Sequence, residues 1–146
     1  MTNFVRVAGA SNAADEMLEF GLLAQVTVSN ASTHEASDYV SALIDTGAYI
    51  TTVHRELAER LQLEIDRSEE FDVVGARNRK AGISRCAIGF QSGHIVKLGK
   101  VAIDDLPGFC PVIVGRDIIG LGQLIVDFET GGWVLHINPE KLDILV

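Results

Sequence analysis

The sequence is poor in cysteine and proline, with 2 cysteines and 3 prolines among 146 residues. Cys86 and Cys110 lack the spacing of a zinc site with each other or with any histidine. We therefore expect two reduced, half-buried thiols and no metal or other cofactor. The histidines show no partner spacing typical of a nucleophilic triad and are expected at the surface or half-buried: His34, His54, His94 and His136.

Positive charge is also scarce in this chain. It has 12 lysines and arginines against 20 acidic residues, which gives a net charge of -8. A nucleic acid or an anionic membrane would require a basic stripe that displaces counterions, so neither is expected as a partner. The one basic cluster, residues 77–80, is interpreted as a solvated hairpin tip rather than a binding patch.

Long apolar segments are missing as well. No run of about eighteen apolar residues that could span a bilayer occurs, and residues 1–6 lack the basic and apolar regions of a secretory signal. The sequence therefore predicts a soluble, cytoplasmic protein.

The composition supplies enough apolar material for one domain core. The chain is 47% hydrophobic, contains 14 glycines, and carries valine, isoleucine and leucine in short runs. This pattern predicts an all-β domain of short strands joined by tight turns. We expect a flexible arm over residues 1–18 with one short strand at 4–7, and a single domain over 19–146. Four aromatic residues are expected in the core, the last alternatively at a dimer interface: Phe90, Phe109, Phe128 and Trp133.

Hydrophobic periodicity predicts the order of the elements. The clearest helix is predicted over residues 53–61, where Val53, Leu57 and Leu61 lie on one face. One or two helical turns are predicted at 116–120. Two strands, 71–74 and 82–90, are predicted to form a hairpin with a mobile tip. Further strands are predicted at 20–29, 39–44, 94–98, 100–103, 111–114, 123–128 and 133–137.

One predicted strand leads directly into Asp45, which Thr46 and Gly47 follow. A strand end holds a carboxylate in a cleft, glycine lets backbone amides approach it, and the threonine hydroxyl offers a further hydrogen bond. An Asp-Thr-Gly tripeptide alone is also typical of an ordinary surface turn. A second segment distinguishes these cases, because the apolar run 112–114 and the residues 115–119 after it can pack beneath the Asp45 loop.

Residues 42–48 and 112–119 resemble the two signature segments of the retropepsins, the small retroviral-type aspartic peptidases. The resemblance implies a closed antiparallel barrel with one or two short helices, active as a homodimer that interleaved terminal strands hold together. Asp45 of each copy would share one proton with its mate and activate water to hydrolyse an extended peptide between apolar residues. The implied catalytic residues are Asp45, Thr46 and Gly47, with Thr46 reaching across the dimer axis to its symmetry mate.

The resemblance also implies the residues that bind the substrate. Ala48 and Tyr49 extend the catalytic loop, and a hairpin tip forms a flap over the peptide with four residues: Val74, Gly75, Ala76 and Arg77. The alternative to a peptidase is a catalytically silent module of the same fold that serves dimerisation or peptide binding.

Two positions depart from the family pattern. Ala48 stands where pepsin-like enzymes have a hydroxyl that donates to the catalytic carboxylate, which predicts a pH optimum milder than that of the pepsins. Tyr49 stands where many retropepsins have an aspartate that pairs with the arginine matching Arg116. Arg116 is therefore expected to pair with Asp117, with another acid or with a backbone carbonyl. Both Arg116 and Asp117 are interpreted as structural.

Overall fold

The computed structural model describes residues 3–73 and 76–142, with the backbone alone over 72–73 and 76–78. The strands are β1 (Val5–Ala10), β2 (Leu22–Asn30), β3 (Val40–Ile44), β4 (Thr52–His54), β5 (Arg67–Val73), β6 (Ala76–Phe90), β7 (Ile95–Asp104), β8 (Val112–Val114), β9 (Gly122–Asp127) and β10 (Gly132–Ile137). The helices are α1 (Ala14–Phe20), α2 (Arg55–Arg60) and α3 (Arg116–Ile119), and a 3₁₀ turn follows at Pro139–Lys141.

The larger sheet closes on itself. Its strand order is β2-β3-β8-β4-β7-β6-β5, and β2 also pairs with the C-terminal half of β6. Most neighbouring strands are antiparallel, but β3 and β8 are parallel, as are β4 and β7. The predicted all-β fold is confirmed, and the two parallel pairs interrupt its antiparallel pattern.

Alternating side chains of β2 show how the sequence builds the core. Leu22, Ala24, Val26 and Val28 are buried, while the residues between them are half-buried or exposed. Successive side chains of a strand point to opposite faces, so one row enters the interior. Burying each of the larger side chains contributes about 1.5–3 kcal/mol. These side chains belong to the same hydrophobic core as Ala42 and Ile44 of β3, the strand that precedes Asp45.

A smaller sheet of three strands, in the order β1-β10-β9, joins the two ends of the described chain. Both pairs are antiparallel, with Val5 opposite Ile137 and Trp133 opposite Val126. Trp133 is buried, in agreement with its predicted place in the core.

The local structure predicted for residues 1–18 was incomplete. The predicted strand is present as β1, but α1 follows it, and both Val7 and Met17 are buried. The helix gives a weak sequence signal because Met17 is the one residue of its seven that is buried. The division into an arm over 1–18 and a domain over 19–146 stays a prediction.

Several predicted boundaries also shift. The helix predicted over 53–61 covers only α2, because residues 52–54 form β4 and pair with both β7 and β8. The strands predicted at 94–98 and 100–103 are one continuous strand, β7. The predicted turn of helix at 116–120 is present as α3.

Burial corrects some of the predictions for single residues. Cys86 and Cys110 are fully rather than half-buried. Phe90 is buried as predicted, whereas Phe109 and Phe128 are half-exposed, since both lie in connections outside the sheets. The four histidines are exposed or half-buried, as predicted. In the part of the chain that the structure describes, no helix has the length and apolar character needed to cross a membrane.

Candidate active site

Asp45 begins the loop at the C-terminal end of β3. Its backbone N–H donates to the carbonyl of Val114, 2.9 Å away, so the parallel pairing of β3 with β8 continues up to this residue. The backbone N–H of Gly47 donates to Asp45 Oδ1 at 2.8 Å, and that of Ala48 donates to the carbonyl of Asp45 at 3.2 Å. The carboxylate is therefore held at a strand end by its own turn, and Asp45 stays half-buried rather than fully exposed.

Two glycines allow the backbones to approach closely here. A Cβ on Gly47 would lie 3.1 Å from Asp45 Oδ1, and one on Gly115 would lie 2.7 Å from the carbonyl carbon of Ile50. Contacts near 2.7 Å with backbone atoms cannot be relieved by a change of rotamer. Glycine at 115 is thus a condition for this segment to pack against the backbone of residues 48–50.

Arg116 links the second segment to the Asp45 loop. Its Nη1 donates to the carbonyl of Thr46 at 2.8 Å, and its backbone N–H donates to the carbonyl of Ala48 at 2.9 Å. Of the three partners predicted for this arginine, the structure shows the backbone carbonyl. The guanidinium therefore holds the Asp45 loop through a backbone carbonyl. Tyr49 stands at the position where an acidic partner was missing from the sequence.

Asp117 and Thr51 form a second link that the sequence did not indicate. Thr51 is 0% exposed, and its backbone N–H and Oγ1–H both donate to the carboxylate of Asp117, at 2.9 and 2.8 Å. Thr51 Oγ1 in turn accepts from the backbone N–H of Gly115 at 3.2 Å. The structural interpretation of Asp117 agrees with these contacts, and Thr51 belongs to the same network.

An apolar row crosses the face of the sheet that carries Asp45. Leu43 precedes Asp45 by two residues, so both side chains point to one face of the strand. Leu43 is in register with Leu23 on β2 and with Ile113 on β8, and all three are half-buried. The opposite face carries the buried residues of the core: Ala42, Ile44, Val112 and Val114.

Cys110 lies behind this row. Its Sγ accepts from the backbone N–H of Leu43 at 3.1 Å and donates to the carbonyl of Val112 at 3.0 Å. Burial raises the pKa of Cys110, and burial raises the pKa of Cys86 to about 12. Both thiols are therefore protonated at neutral pH, and Cys110 acts as a small structural donor beside the strand that leads into Asp45.

Two ion pairs tie the hairpin of β5 and β6 to β7. Arg79 on β6 donates to both carboxylate oxygens of Asp104, at 2.6 and 2.9 Å. Lys100 on β7 lies 2.8 Å from a carboxylate oxygen of Glu69 on β5. The hairpin strands stay paired as far as Val73 and Ala76.

Loss of these ion pairs in acid should loosen the hairpin. Burial opposes ionisation of Asp104, but hydrogen bonds from Arg79 and from the Asp105 backbone outweigh it and lower the pKa of Asp104. The hydrogen bond from Lys100 lowers the pKa of Glu69. A carboxyl whose pKa is lowered in the folded protein stabilises the fold at pH values above its ordinary pKa. That stabilisation is lost as the pH falls through the lowered pKa. The protection of the β5 and β6 amides against hydrogen exchange, relative to their intrinsic exchange rates at the same pH, should therefore fall in acid.

A matched pair of variants separates this effect from general acid destabilisation. Asp104→Asn should speed exchange in the hairpin already at neutral pH, whereas Asp105→Asn should leave it unchanged, because Asp105 pairs with Arg55 on α2. Equal exchange in wild-type protein and Asp104→Asn would show that the ion pair does not hold the hairpin.

A solved structure shares this architecture over nearly its whole length. The crystal structure of a retropepsin-like aspartic protease from Rickettsia conorii aligns with 94% of this chain and 94% of its own, with a TM-score of 0.59 and 15% sequence identity. The chain has a retropepsin-like fold. The predicted resemblance is thus confirmed at the level of the fold.

Two further solved structures are similar over shorter stretches. The EIAV protease in complex with an inhibitor aligns with 67% of this chain and 84% of its own, at 20% identity and a TM-score of 0.45. The retroviral protease-like domain of Ddi1 from Leishmania major aligns with 73% of this chain and 82% of its own, at 17% identity and a TM-score of 0.46. No protein-family model and no curated protein matches the chain.

The predicted site residues divide into two groups on this retropepsin-like fold. The predicted catalytic residues and Ala48 and Tyr49 form one continuous loop, in which Thr46 and Tyr49 are exposed. Val74 and Gly75 of the predicted flap lie outside the described residues. Ala76 and Arg77 lie on β6, where the structure describes the backbone alone.

Proposed function

We propose that the chain is a homodimeric aspartic endopeptidase of the cytoplasm, which hydrolyses extended peptides with a dyad of Asp45 from each copy. The observation that carries the proposal is the placement of Asp45, whose carboxylate accepts from Gly47 N–H at a strand end while Arg116 clamps the loop. The retropepsin-like fold of the chain supports this role for the carboxylate.

The chemistry requires two carboxyl groups in different protonation states. Two carboxylates a few ångström apart cannot both ionise cheaply, so they share one proton, as in the pepsin dyad. The ionised member accepts a proton from water as the water attacks the peptide carbonyl, and the protonated member donates to the carbonyl oxygen. One Asp45 cannot take both roles at once, and the chain holds a single Asp-Thr-Gly segment. A second copy therefore supplies the missing carboxyl, with Thr46 of each copy reaching across the axis.

The apolar row beside Asp45 supports the preference for apolar side chains in the substrate. Leu23, Leu43 and Ile113 are half-buried on the same face as the carboxylate, so an apolar side chain placed there removes further surface from water. The hairpin of β5 and β6 serves as the flap in this proposal, with Val74, Gly75, Ala76 and Arg77 over the peptide. Its closure would exclude water from the reaction.

The rival function is a peptide-binding or dimerisation module of the same fold that does not cut. Both candidates use the same cleft, so binding alone does not separate them. A cleavage experiment separates them. The purified protein is incubated with a diverse peptide library between about pH 3 and pH 7, and mass spectrometry records the products.

A peptidase should cut a subset of the library, with apolar residues on both sides of the broken bond. Because Ala48 offers no hydroxyl to the carboxylate, the pH optimum of cleavage should lie above about pH 3. An optimum below that pH would fall in the range where the pepsin pair titrates. Binding of library peptides without any cleavage across this pH range would favour the silent module. Cleavage that is fastest at about pH 3, the acid end of this range, would contradict the role assigned to Ala48.

A further inference from the structure

The loop over residues 105–111 connects β7 to β8 and passes close to the strand that leads into Asp45. Cys110 of this loop is buried, and its Sγ accepts from the backbone N–H of Leu43 at 3.1 Å. Leu43 is the central member of the apolar row, since β3 lies between β2 and β8. The C-terminal end of the loop is therefore anchored against the apolar row.

Two aromatic rings lie at the edge of this row. Phe109 at the tip of the loop and Phe20 at the end of α1 have ring centroids 5.7 Å apart, and the two residues are 53% and 43% exposed. Phe20 is followed by Gly21, at which a Cβ would lie 2.9 Å from Leu43 Cδ1. Both rings are thus one residue away from a contact with Leu43. An apolar side chain that reaches them removes further surface from water.

His54 on β4 holds the other half of the loop. The backbone N–H of Leu106 donates to His54 Nδ1 at 2.9 Å. Over residues 3–73 and 76–142, this is the one hydrogen bond that joins the backbone of residues 106–109 to another element. The backbone N–H of His54 also donates to the carbonyl of Pro111 at 2.8 Å. One residue of β4 thus contacts the loop near both of its ends.

The hydrogen bond from Leu106 requires the neutral form of His54. A ring nitrogen that accepts a hydrogen bond carries no proton, so the proton of neutral His54 lies on Nε2. In the charged form both ring nitrogens are donors. The Nδ1–H then faces the N–H of Leu106, and two donors at this distance repel each other. Protonation of one side chain therefore removes the hydrogen bond that holds the loop.

The charged groups around His54 are already paired with one another. Asp104 on β7 is in register with His54 and accepts from Arg79 on β6, while Asp105 in the loop pairs with Arg55 at the start of α2. On the other side of β4, the strand β8 carries no titratable residue. The pair of Arg55 with Asp105 is exposed, so it holds the loop only weakly.

We infer that His54 is a positioning residue for the substrate, and that its protonation releases the loop 105–111 from the edge of the apolar row. This inference rests on the proposed function, because the substrate is proposed to bind along that row. Neutral His54 keeps Phe109 beside Phe20, where the two rings receive a large apolar side chain of the peptide. Charged His54 lets the loop move away at Leu106, so such peptides bind more weakly in acid.

Two variants separate the proton of His54 from its place in the fold. His54→Asn retains an acceptor oxygen at the position of Nδ1 and does not titrate, whereas His54→Leu retains a side chain of similar size without an acceptor. Histidine titrates near about pH 6.5 and ordinary carboxyl groups near about pH 4, so measurements at about pH 7.5 and pH 5 report mainly on histidine. The other histidines are common to all three proteins.

The first measurement needs no substrate. Nuclear magnetic resonance gives the protection of the Leu106 amide against hydrogen exchange, relative to its intrinsic rate at the same pH. Between about pH 7.5 and pH 5 this protection should fall by about 2- to 10-fold in wild-type protein, the range for one hydrogen bond. It should stay constant in His54→Asn and be low at both pH values in His54→Leu. The same pH dependence in wild-type protein and His54→Asn would overturn the inference.

The second measurement is the KM for a peptide with a large apolar residue beside the broken bond. The ratio of KM at about pH 5 to KM at about pH 7.5 should be about 2- to 10-fold larger in wild-type protein than in His54→Asn. Comparing the two proteins cancels the titration of the Asp45 dyad, which they share. The kcat ratios of the two proteins should agree, because His54 contacts the loop rather than the reacting atoms.

The outcomes separate this inference from the proposed function. If the peptide binds but is not cut, its dissociation constant takes the place of KM, and the same difference in ratio supports the inference while the peptidase proposal fails. If the peptide is cut and its KM ratio is equal in wild-type protein and His54→Asn, the inference fails and the peptidase proposal stands.

Discussion

Asp45→Asn should lower kcat/KM for peptide cleavage by about 10²- to 10⁴-fold, with the fold and the dimer intact. The asparagine carbonyl oxygen can still accept the hydrogen bond that Asp45 Oδ1 accepts from Gly47 N–H at 2.8 Å, so the loop should keep its shape. The amide can neither accept a proton from water nor share one with a second carboxyl. Steady-state kinetics on a peptide that wild-type protein cuts would measure the loss.

An exposed carboxylate serves as the matched control for this variant. Asp38 lies before β3 and is exposed, so Asp38→Asn makes the same chemical change outside the Asp45 loop. It should leave kcat/KM within about twofold of wild-type, since surface substitutions rarely change stability by more than about 0.5 kcal/mol. If Asp45→Asn cut the peptide at the wild-type rate, Asp45 would have no catalytic role.

Asp117→Ala should lower the free energy of unfolding by about 1–3 kcal/mol, the range for leaving a buried hydrogen-bond donor without its partner. The carboxylate accepts from Thr51 N–H, Thr51 Oγ1–H and Ile118 N–H at 2.8–2.9 Å, and Thr51 is fully buried. Alanine would leave these donors without their acceptor where water has little access. Urea unfolding of both proteins at one protein concentration would measure the difference, because any dimerisation would make the stability depend on that concentration.

A conservative variant at the same position calibrates this loss. Asp117→Asn retains one acceptor oxygen, so it should destabilise the protein less than Asp117→Ala does. A free energy of unfolding for Asp117→Ala within about 0.5 kcal/mol of wild-type would contradict a structural role for the network.

The parts of the site that the sequence predicted are local ones. The strand before Asp45 alternates, and the turn after it depends on Gly47, so both follow from neighbouring residues. For Arg116 the sequence predicted three possible kinds of hydrogen-bond partner, because a guanidinium near the loop needs an acceptor. Which acceptor it finds depends on the position of Thr46, 70 residues earlier.

The parts that the sequence did not predict depend on long-range contacts. In the sequence Thr51 is an ordinary polar residue, and its hydrogen-bond partner Asp117 lies 66 residues later in the chain. The short strand β4 lies within a helical pattern, but pairing with β7 and β8 outweighs that local preference. Helix α1 was missed for the opposite reason, because it buries little and leaves hardly any periodicity to detect.

The shared dyad can be tested most directly by mixing wild-type and Asp45→Asn chains at a constant total concentration. If equal amounts exchange freely, about one quarter of the dimers carry two intact carboxyl groups. The cleavage rate should then fall to about one quarter of that of pure wild-type protein, since mixed dimers lack one carboxyl. A rate of about one half, in proportion to the wild-type chains, would mean that each chain works alone and would contradict the dyad.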